Sequence, residues 1–260
     1  MKLHNGIEIN NYELWDQDGF FAETGVEIVI KNLLPQMETA GIIVGSLHAP
    51  FKKDCIISED EYESYFMKFQ KCCKKGKAYK AKYLVIHPPV IAGEENITRD
   101  KEEIHLLKKS LSLWLKMGKE AGVYGLDLAF ENMPPSQGWP SGCNWEMSLE
   151  IIKILKQPNI KTCLDISHCF VNKQIQSILT ELNEKNLPVG IHVSDGIVDS
   201  RKDCHLPPGE GDLDWLNFFA VLQKNKYKRN LVIEVNSPYL GIDLLQKIIS
   251  FLQKNIQNYN

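Results

Sequence analysis

Nine residues of this chain, of types able to bind divalent metal ions or move protons, stand out because most of them recur at one kind of position. His48 in SLHAP, His87 in VIHPP, Glu131 in LAFEN, Asp165 and His168 in CLDISH, His192 in GIHVSD and Glu234 in VIEVN each close a short apolar run. The loop KDCHLPPGEG at 202–211 adds Asp203 and His205. Five of the 7 histidines belong to this set, and only His4 and His105 lie elsewhere. One His at the end of an apolar run is usually a hydrogen-bonded core residue, but six run ends bearing His, Asp or Glu reverse that expectation. Neutral imidazole and carboxylate suit Zn, Mn or Fe, whereas carboxylates gathered without a cation repel and raise one another's pKa. The chemistry expected is that of one or more bound divalent ions.

The apolar runs that must position these residues are β-rich: 6–10, 41–48, 83–88, 124–132, 161–167, 189–195 and 231–236. Between them lie stretches with apolar residues at helical spacing, such as EYESYFMKFQKCCKKGK, IHLLKKSLSLWLKMGKEAG, WEMSLEIIKILKQ and LLQKIISFLQKNIQ. Strands apolar on both faces and separated by helices predict a parallel sheet covered by helices, doubly wound or closed into a barrel. No glycine-rich phosphate fingerprint opens a helix, which disfavours a dinucleotide fold. In a parallel barrel the residues from many strands converge only at the C-terminal mouth, where these side chains fall. Seven units are visible against the eight of a standard barrel, so the first strand lies within residues 1–10 or is missing. A single domain over 1–260 is expected.

Composition excludes several classes. The chain of 260 residues is 43% hydrophobic and 24% charged with a net charge of -3, so no global basic field exists to hold nucleic acid or an anionic membrane. The 7 cysteines lack a CxxC pair and predict reduced thiols in the cytoplasm, with Cys72 and Cys73 as core or surface thiols. No apolar leader core and no run of about 18 apolar residues occurs, so no membrane partner is expected. Lys68, Lys71, Lys74, Lys75, Lys77, Lys80 and Lys82 form a basic run without an acidic residue. It falls late in a helix and before a strand, on the barrel face opposite the mouth, where it reads as a solvated helix end. Trp139, Trp145 and Trp215 follow strand ends and wall a pocket or pack in the core, and GEG at 209–211 predicts a tight turn.

Taken together, LHAPF, VIHPP, FEN, CLDISH, IHVSD, DCH followed by GEG, and IEV resemble the xylose isomerase-like TIM barrels, most closely the endonuclease IV branch (AP endonuclease family 2). The resemblance covers nearly the whole chain from the second strand onward. It implies an α/β fold, a (β/α)8 TIM barrel lacking its first strand or holding it in degenerate form. It also implies three zinc ions: one on His48, His87 and Glu131, one on Glu131, Asp165, His192 and Glu234, and one on His168, Asp203 and His205. The activity implied is metal-dependent hydrolysis of a phosphodiester or related phosphorylated substrate, with Glu131, Glu234 and His168 as catalytic residues. The sequence departs from the DNA-repair pattern at NYELWDQDGFFAE, residues 11–23, which is acidic where a DNA-gripping loop is cationic. DNA as a partner is therefore not supported by charge, although Phe51 is placed to stack on a base or to pack. The alternative within the same superfamily is a sugar or sugar-phosphate isomerase or epimerase. It needs one ion (Zn, Mn, Mg or Co) on Glu131, Asp165, His192 and Glu234, with the two glutamates moving protons and His168 binding a substrate hydroxyl.

Overall fold

The computed structural model describes residues 6–10, 26–52, 55–93, 107–135, 143–183, 185–236 and 241–257. Alternation of strand and helix gives β1 (Gly6–Asn10), α1 (Val26–Thr39), β2 (Ile43–His48), β3 (Ile56–Ile57), α2 (Tyr62–Ala78), β4 (Tyr83–Ile86), β5 (Val90–Ile91) and α3 (Lys108–Val123). It continues as β6 (Asp127–Glu131), α4 (Trp145–Leu155), β7 (Ile160–Asp165), α5 (Ile166–Val171), α6 (Ile175–Glu181), β8 (Gly190–Val193), α7 (Trp215–Lys224), β9 (Asn230–Ile233) and α8 (Ile242–Gln257). Among the described residues seven strands form one parallel sheet in the order β1-β2-β4-β6-β7-β8-β9, and β3 pairs with β5 in a separate two-stranded sheet. GIEIN forms β1 and pairs with β2, while β1 and β9 stand at the two ends of the sheet, as expected of a barrel short of one strand. The count among the described residues is seven rather than eight.

The sheet curls until its first and later strands meet inside, where the Glu8 carboxylate of β1 reaches the His192 imidazole of β8 at 3.3 Å. Residues such as Tyr83, Val85, Ala129 and Cys163 fill the barrel interior below the mouth. Two larger apolar layers lie between sheet and helices, one around Phe69, Trp114, Phe130 and Ile151, the other around Trp145, Leu164, Phe218 and Leu252. Helix and sheet pack this way because β4 is buried along its whole length, as a strand covered on both faces must be. Close approach also requires glycine. A Cβ at Gly190 would lie 2.2 Å from the Tyr83 hydroxyl, and one at Gly118 of α3 would lie 2.6 Å from Ile160 of β7.

The basic run falls on the second half of α2 and the turn into β4, at the end opposite the mouth. Its Lys80 pairs with Glu38 of α1 at 2.9 Å. Cys72 and Cys73 are core residues of α2, and all seven cysteines are free.

Candidate metal centre

Each of the nine residues sits at, or one loop beyond, a strand end on a single face of the barrel. His48 ends β2, Glu131 ends β6 and Asp165 ends β7, while His192 lies one residue inside the end of β8. His87 and Glu234 follow β4 and β9 directly, His168 lies on α5, and Asp203 and His205 lie between β8 and α7. Cross-strand register fixes part of this convergence, because Asp165 and His192 are direct neighbours on β7 and β8. The side chains then form three groups able to hold a metal ion: His48, His87 and Glu131; Glu131, Asp165, His192 and Glu234; and Asp165, His168 and His205. Within each group one ligand atom per residue lies within 4.8 Å of the others.

The four-residue group is the most crowded. His192 Nδ1 lies 2.6 Å from Glu234 Oε2, 3.2 Å from Glu131 Oε1 and 3.8 Å from Asp165 Oδ2. Yet Glu234 Oε2 and Asp165 Oδ2 are buried without an aligned hydrogen-bond partner. Buried carboxylate oxygens left unsatisfied cost several kcal/mol, on the order of the desolvation of a polar group. A divalent ion at their common focus removes that cost, and three oxygens with one imidazole nitrogen are a donor set that suits such an ion. Asp165 has a second task. Its Oδ1 accepts the His168 backbone N–H at 2.7 Å and caps α5, which leaves Oδ2 facing the group.

Glu131 is the hub of the first two groups. His48 Nε2 lies 3.1 Å and His87 Nε2 3.4 Å from its Oε2, and His168 Nδ1 lies 3.5 Å from its Oε1. Burial raises the pKa of this carboxyl, but His192, His48 and His87 together outweigh it and hold the group well below the usual carboxylate range. Asp165 is driven the other way. Burial first, and then the charges of Glu234 and Glu131, push it up to about 6 against the opposing pull of His168 and His205. Burial brings His87 down to about 4 against the opposing pull of Glu131, and this shift favours the neutral imidazole that a metal ion binds.

The rim group is built partly from a loop. Ser167 donates its hydroxyl to Asp203 Oδ1 at 2.8 Å and accepts the His205 backbone N–H at 3.1 Å. Asp203 reaches His205 Nε2 at 3.1 Å and His168 Nε2 at 3.4 Å. The convergent set here is Asp165, His168 and His205, so Asp203 stands between the two imidazoles as their shared partner rather than inside that set. His205 takes φ +42°, in the left-handed region that a non-glycine residue occupies at a cost of about 1 kcal/mol or more. Its carbonyl accepts from Asn236 N–H at 2.8 Å, so the strained residue is pinned from both sides.

Several residues that support the site carry no sequence signal as ligands. Asn132 donates to the Asp165 carbonyl at 3.0 Å and accepts the Asp165 N–H at 2.7 Å, while its own carbonyl takes the His168 Nδ1 hydrogen bond at 2.7 Å. Asp195 organises the loop behind the rim by accepting from the backbone N–H groups of Gly196, Gly209 and Leu213 and from Trp215 Nε1. GEG is needed there. Gly209 has φ +93°, and a Cβ at Gly211 would sit 2.4 Å from Asp195 Oδ1. Trp145 and Trp215 are buried first residues of α4 and α7 and pack in the core. Phe51 lies with its ring centroid 3.9 Å from that of His87, which makes it a packing partner of a site histidine. Trp139, His4, His105 and the acidic stretch 11–23 lie outside the described residues.

The family model described as xylose isomerase-like TIM barrel matches residues 5–255. The uncharacterized protein MJ1614 of Methanocaldococcus jannaschii is 29% identical over 178 residues, which are 65% of this chain and 62% of that protein. The match therefore spans less than two thirds of that relative's length. Solved structures with the same fold include a D-tagatose 3-epimerase-like protein (TM-score 0.76, 20% identity, 97% of this chain and 88% of that one). The IolI protein with a binding zinc atom superposes with TM-score 0.73 at 18% identity, over 98% of this chain and 89% of that one. D-psicose 3-epimerase with D-tagatose, from Clostridium cellulolyticum H10, gives TM-score 0.67 at 15% identity, over 97% and 89%.

Proposed function

The chain belongs to the family of xylose isomerase-like TIM barrels, and from that premise we propose that it is a divalent-metal-dependent isomerase or epimerase. Its substrate class on this reading is a small polyhydroxylated carbonyl compound, free or phosphorylated. The observation that carries the proposal is the quartet in which one imidazole nitrogen, His192 Nδ1, faces the carboxylates of Glu131, Asp165 and Glu234 within 3.8 Å. Similarity of fold to a D-tagatose 3-epimerase-like protein and to D-psicose 3-epimerase supports this chemistry over phosphodiester hydrolysis.

The quartet would hold the ion, which when bound polarises a substrate carbonyl and its neighbouring hydroxyl and so acidifies the C–H beside the carbonyl. Glu131 and Glu234 leave different strands, β6 and β9, and on this reading flank the substrate from two sides. One carboxylate takes the proton from the carbon next to the carbonyl, leaving an enediolate, and the other returns a proton to the opposite face. One proton leaves and one arrives, so no oxidant or reductant is consumed. Imidazoles around Glu131 hold its carboxyl well below the usual range, so it starts in the deprotonated, proton-accepting form. His168, fixed through Nδ1 by the Asn132 carbonyl, has Nε2 free to meet a substrate hydroxyl once Asp203 gives way. The free thiols fit a reducing cytoplasm.

A second reading rests on a separate observation, the two further groups around His48 and His87 and around His168 and His205. Filled together with the quartet, they would make the multinuclear zinc hydrolase that the resemblance to endonuclease IV implies. Incubating a panel of ketoses and ketose phosphates in deuterated water, with metal content measured on protein prepared without chelator, separates the two. The isomerase reading expects deuterium at the carbon beside the carbonyl, with about one ion per chain sufficient for turnover. Phosphodiester cleavage requiring about three zinc ions, with no exchange on any sugar, would replace it with the hydrolase.

A further inference from the structure

We propose that Glu8 is a positioning residue for the quartet: from β1 its carboxylate holds the far nitrogen of His192 and so aims Nδ1 at Glu131, Asp165 and Glu234. The inference rests on the metal-dependent reading above and adds a residue that none of the three ligand groups contains. Glu8 is the one ionisable side chain of GIEIN, and it points into the barrel at only 10% exposure. A carboxylate in that interior, where branched aliphatic side chains usually pack, costs several kcal/mol unless it is paired.

Two partners meet it. Ser46, its cross-strand neighbour on β2, donates its hydroxyl to Glu8 Oε2. Glu8 Oε1 lies 3.3 Å from His192 Nε2. That nitrogen is buried and has no aligned acceptor, so the carboxylate stands within reach but off the straight line of a hydrogen bond. Cys163, buried on β7, presents its thiol to the same ring, but a thiol is a weak acceptor beside a carboxylate. The two nitrogens of His192 are therefore divided, with Nδ1 toward three carboxylates and Nε2 toward one. A histidine that donates its second N–H to a carboxylate is locked in one tautomer, fixed in ring orientation and made more basic toward a metal ion. Glu8 is suited to do all three from below, without touching the ion or the substrate.

Zinc affinity, measured by competition with a chromophoric chelator, tests this on the full chain. Glu8→Gln keeps the shape and removes the charge, and it should weaken zinc binding by about 10- to 100-fold. Ser46→Ala, which retains the carboxylate but frees it, should weaken binding less and in the same direction, and it serves as the second variant if Glu8→Gln does not fold. A merely structural role would not move the spectroscopic readout. In cobalt(II)-loaded protein the exchange-protected imidazole N–H proton of His192 should be visible by NMR and should shift or broaden in Glu8→Gln. Zinc affinity within twofold of the unaltered chain in both variants, with that proton unmoved, overturns the proposal and leaves the metal-dependent reading standing. An unaltered chain that takes up no zinc at all overturns both.

Discussion

The quartet at the strand ends and the His168–Asp203–His205 array at the rim use the same residue types, yet they are built by different means. In the quartet Glu131 and Asp165 are the last residues of β6 and β7, and His192 lies one residue inside the end of β8. Their spacing is set by strand register, and all three are buried. At the rim, Asp203 and His205 come from a loop that Ser167 and Asp195 hold in place through hydrogen bonds, and the Asp203 side chain is 38% exposed. A ligand set fixed by a sheet is preorganised before any ion arrives. One fixed by a loop can change its reach, or its purpose, without disturbing the barrel. On the isomerase reading proposed above, the quartet carries the reaction and the rim tunes what is bound above it.

The largest effect should come from the quartet. Glu131→Gln removes the carboxylate that His48, His87, His168 and His192 surround, and it should lose both metal and turnover, the latter by at least about 10²–10⁴-fold, as expected for removal of a general base alone. Thermal melting of the metal-free protein should fall as well, since breaking a buried charge cluster from one side is strongly destabilising. Glu234→Gln should lose comparable turnover but little metal-free stability, because its side chain is 39% exposed. Calorimetry beside a turnover assay checks the pair, and equal melting losses in the two variants would break the contrast between hub and flank.

Much of this arrangement was legible in the sequence, for a physical reason. A strand covered on both faces must be an apolar run, so a His or a carboxylate at its end stands out. GIEIN coincides with β1, the runs at 41–48, 83–88, 124–132 and 189–195 each contain a strand of the sheet, and those at 161–167 and 231–236 overlap β7 and β9, which begin one residue earlier. Boundaries failed where a side chain intervened. The run 161–167 breaks at Asp165, whose carboxylate caps α5 and turns the chain into a helix two residues early. The two-residue strands β3 and β5 are too short to show a period. Glu8 was hidden because alternation within GIEIN makes a solvent-facing Glu the ordinary interpretation, and only barrel closure turns that position inward. The place of Asp203 between two imidazoles depends on Ser167, whose hydroxyl reaches across 36 residues of chain, a contact that no local pattern encodes.

A smaller effect sharpens the comparison from the other side. Asp203→Asn combined with His205→Ala empties the rim of its loop donors while leaving the quartet intact. If the quartet suffices, exchange of the substrate C–H with solvent should persist, with the KM for a phosphorylated or hydroxyl-rich substrate changing more than kcat. A collapse of turnover by orders of magnitude, together with loss of about one metal equivalent, would make the rim part of the reacting centre and return the case to the multinuclear hydrolase.

The smallest effect expected is that of Ser167→Ala, and it is also the most selective. The hydroxyl is fully buried and makes two hydrogen bonds, donating to Asp203 Oδ1 at 2.8 Å and accepting from the His205 backbone N–H at 3.1 Å. Its removal costs about 1–3 kcal/mol, on the scale of a buried donor left unsatisfied. Part of that is recovered by water, because Asp203 is partly exposed. His205 would also lose one of the two tethers that keep its backbone at φ +42°, and relaxation of that residue should carry its imidazole away from Asp203 and His168. The Ser167 hydroxyl itself meets none of Glu131, His192 and Glu234, and the His205 ring touches Glu234 through its backbone carbonyl, 3.4 Å from Nδ1, rather than through its carboxylate. A crystal structure of the variant should therefore show the loop at 203–205 displaced over an unchanged quartet, with metal affinity at the quartet held within about threefold. Loss of quartet affinity in step with the loop would mean that the two regions form one cooperative unit.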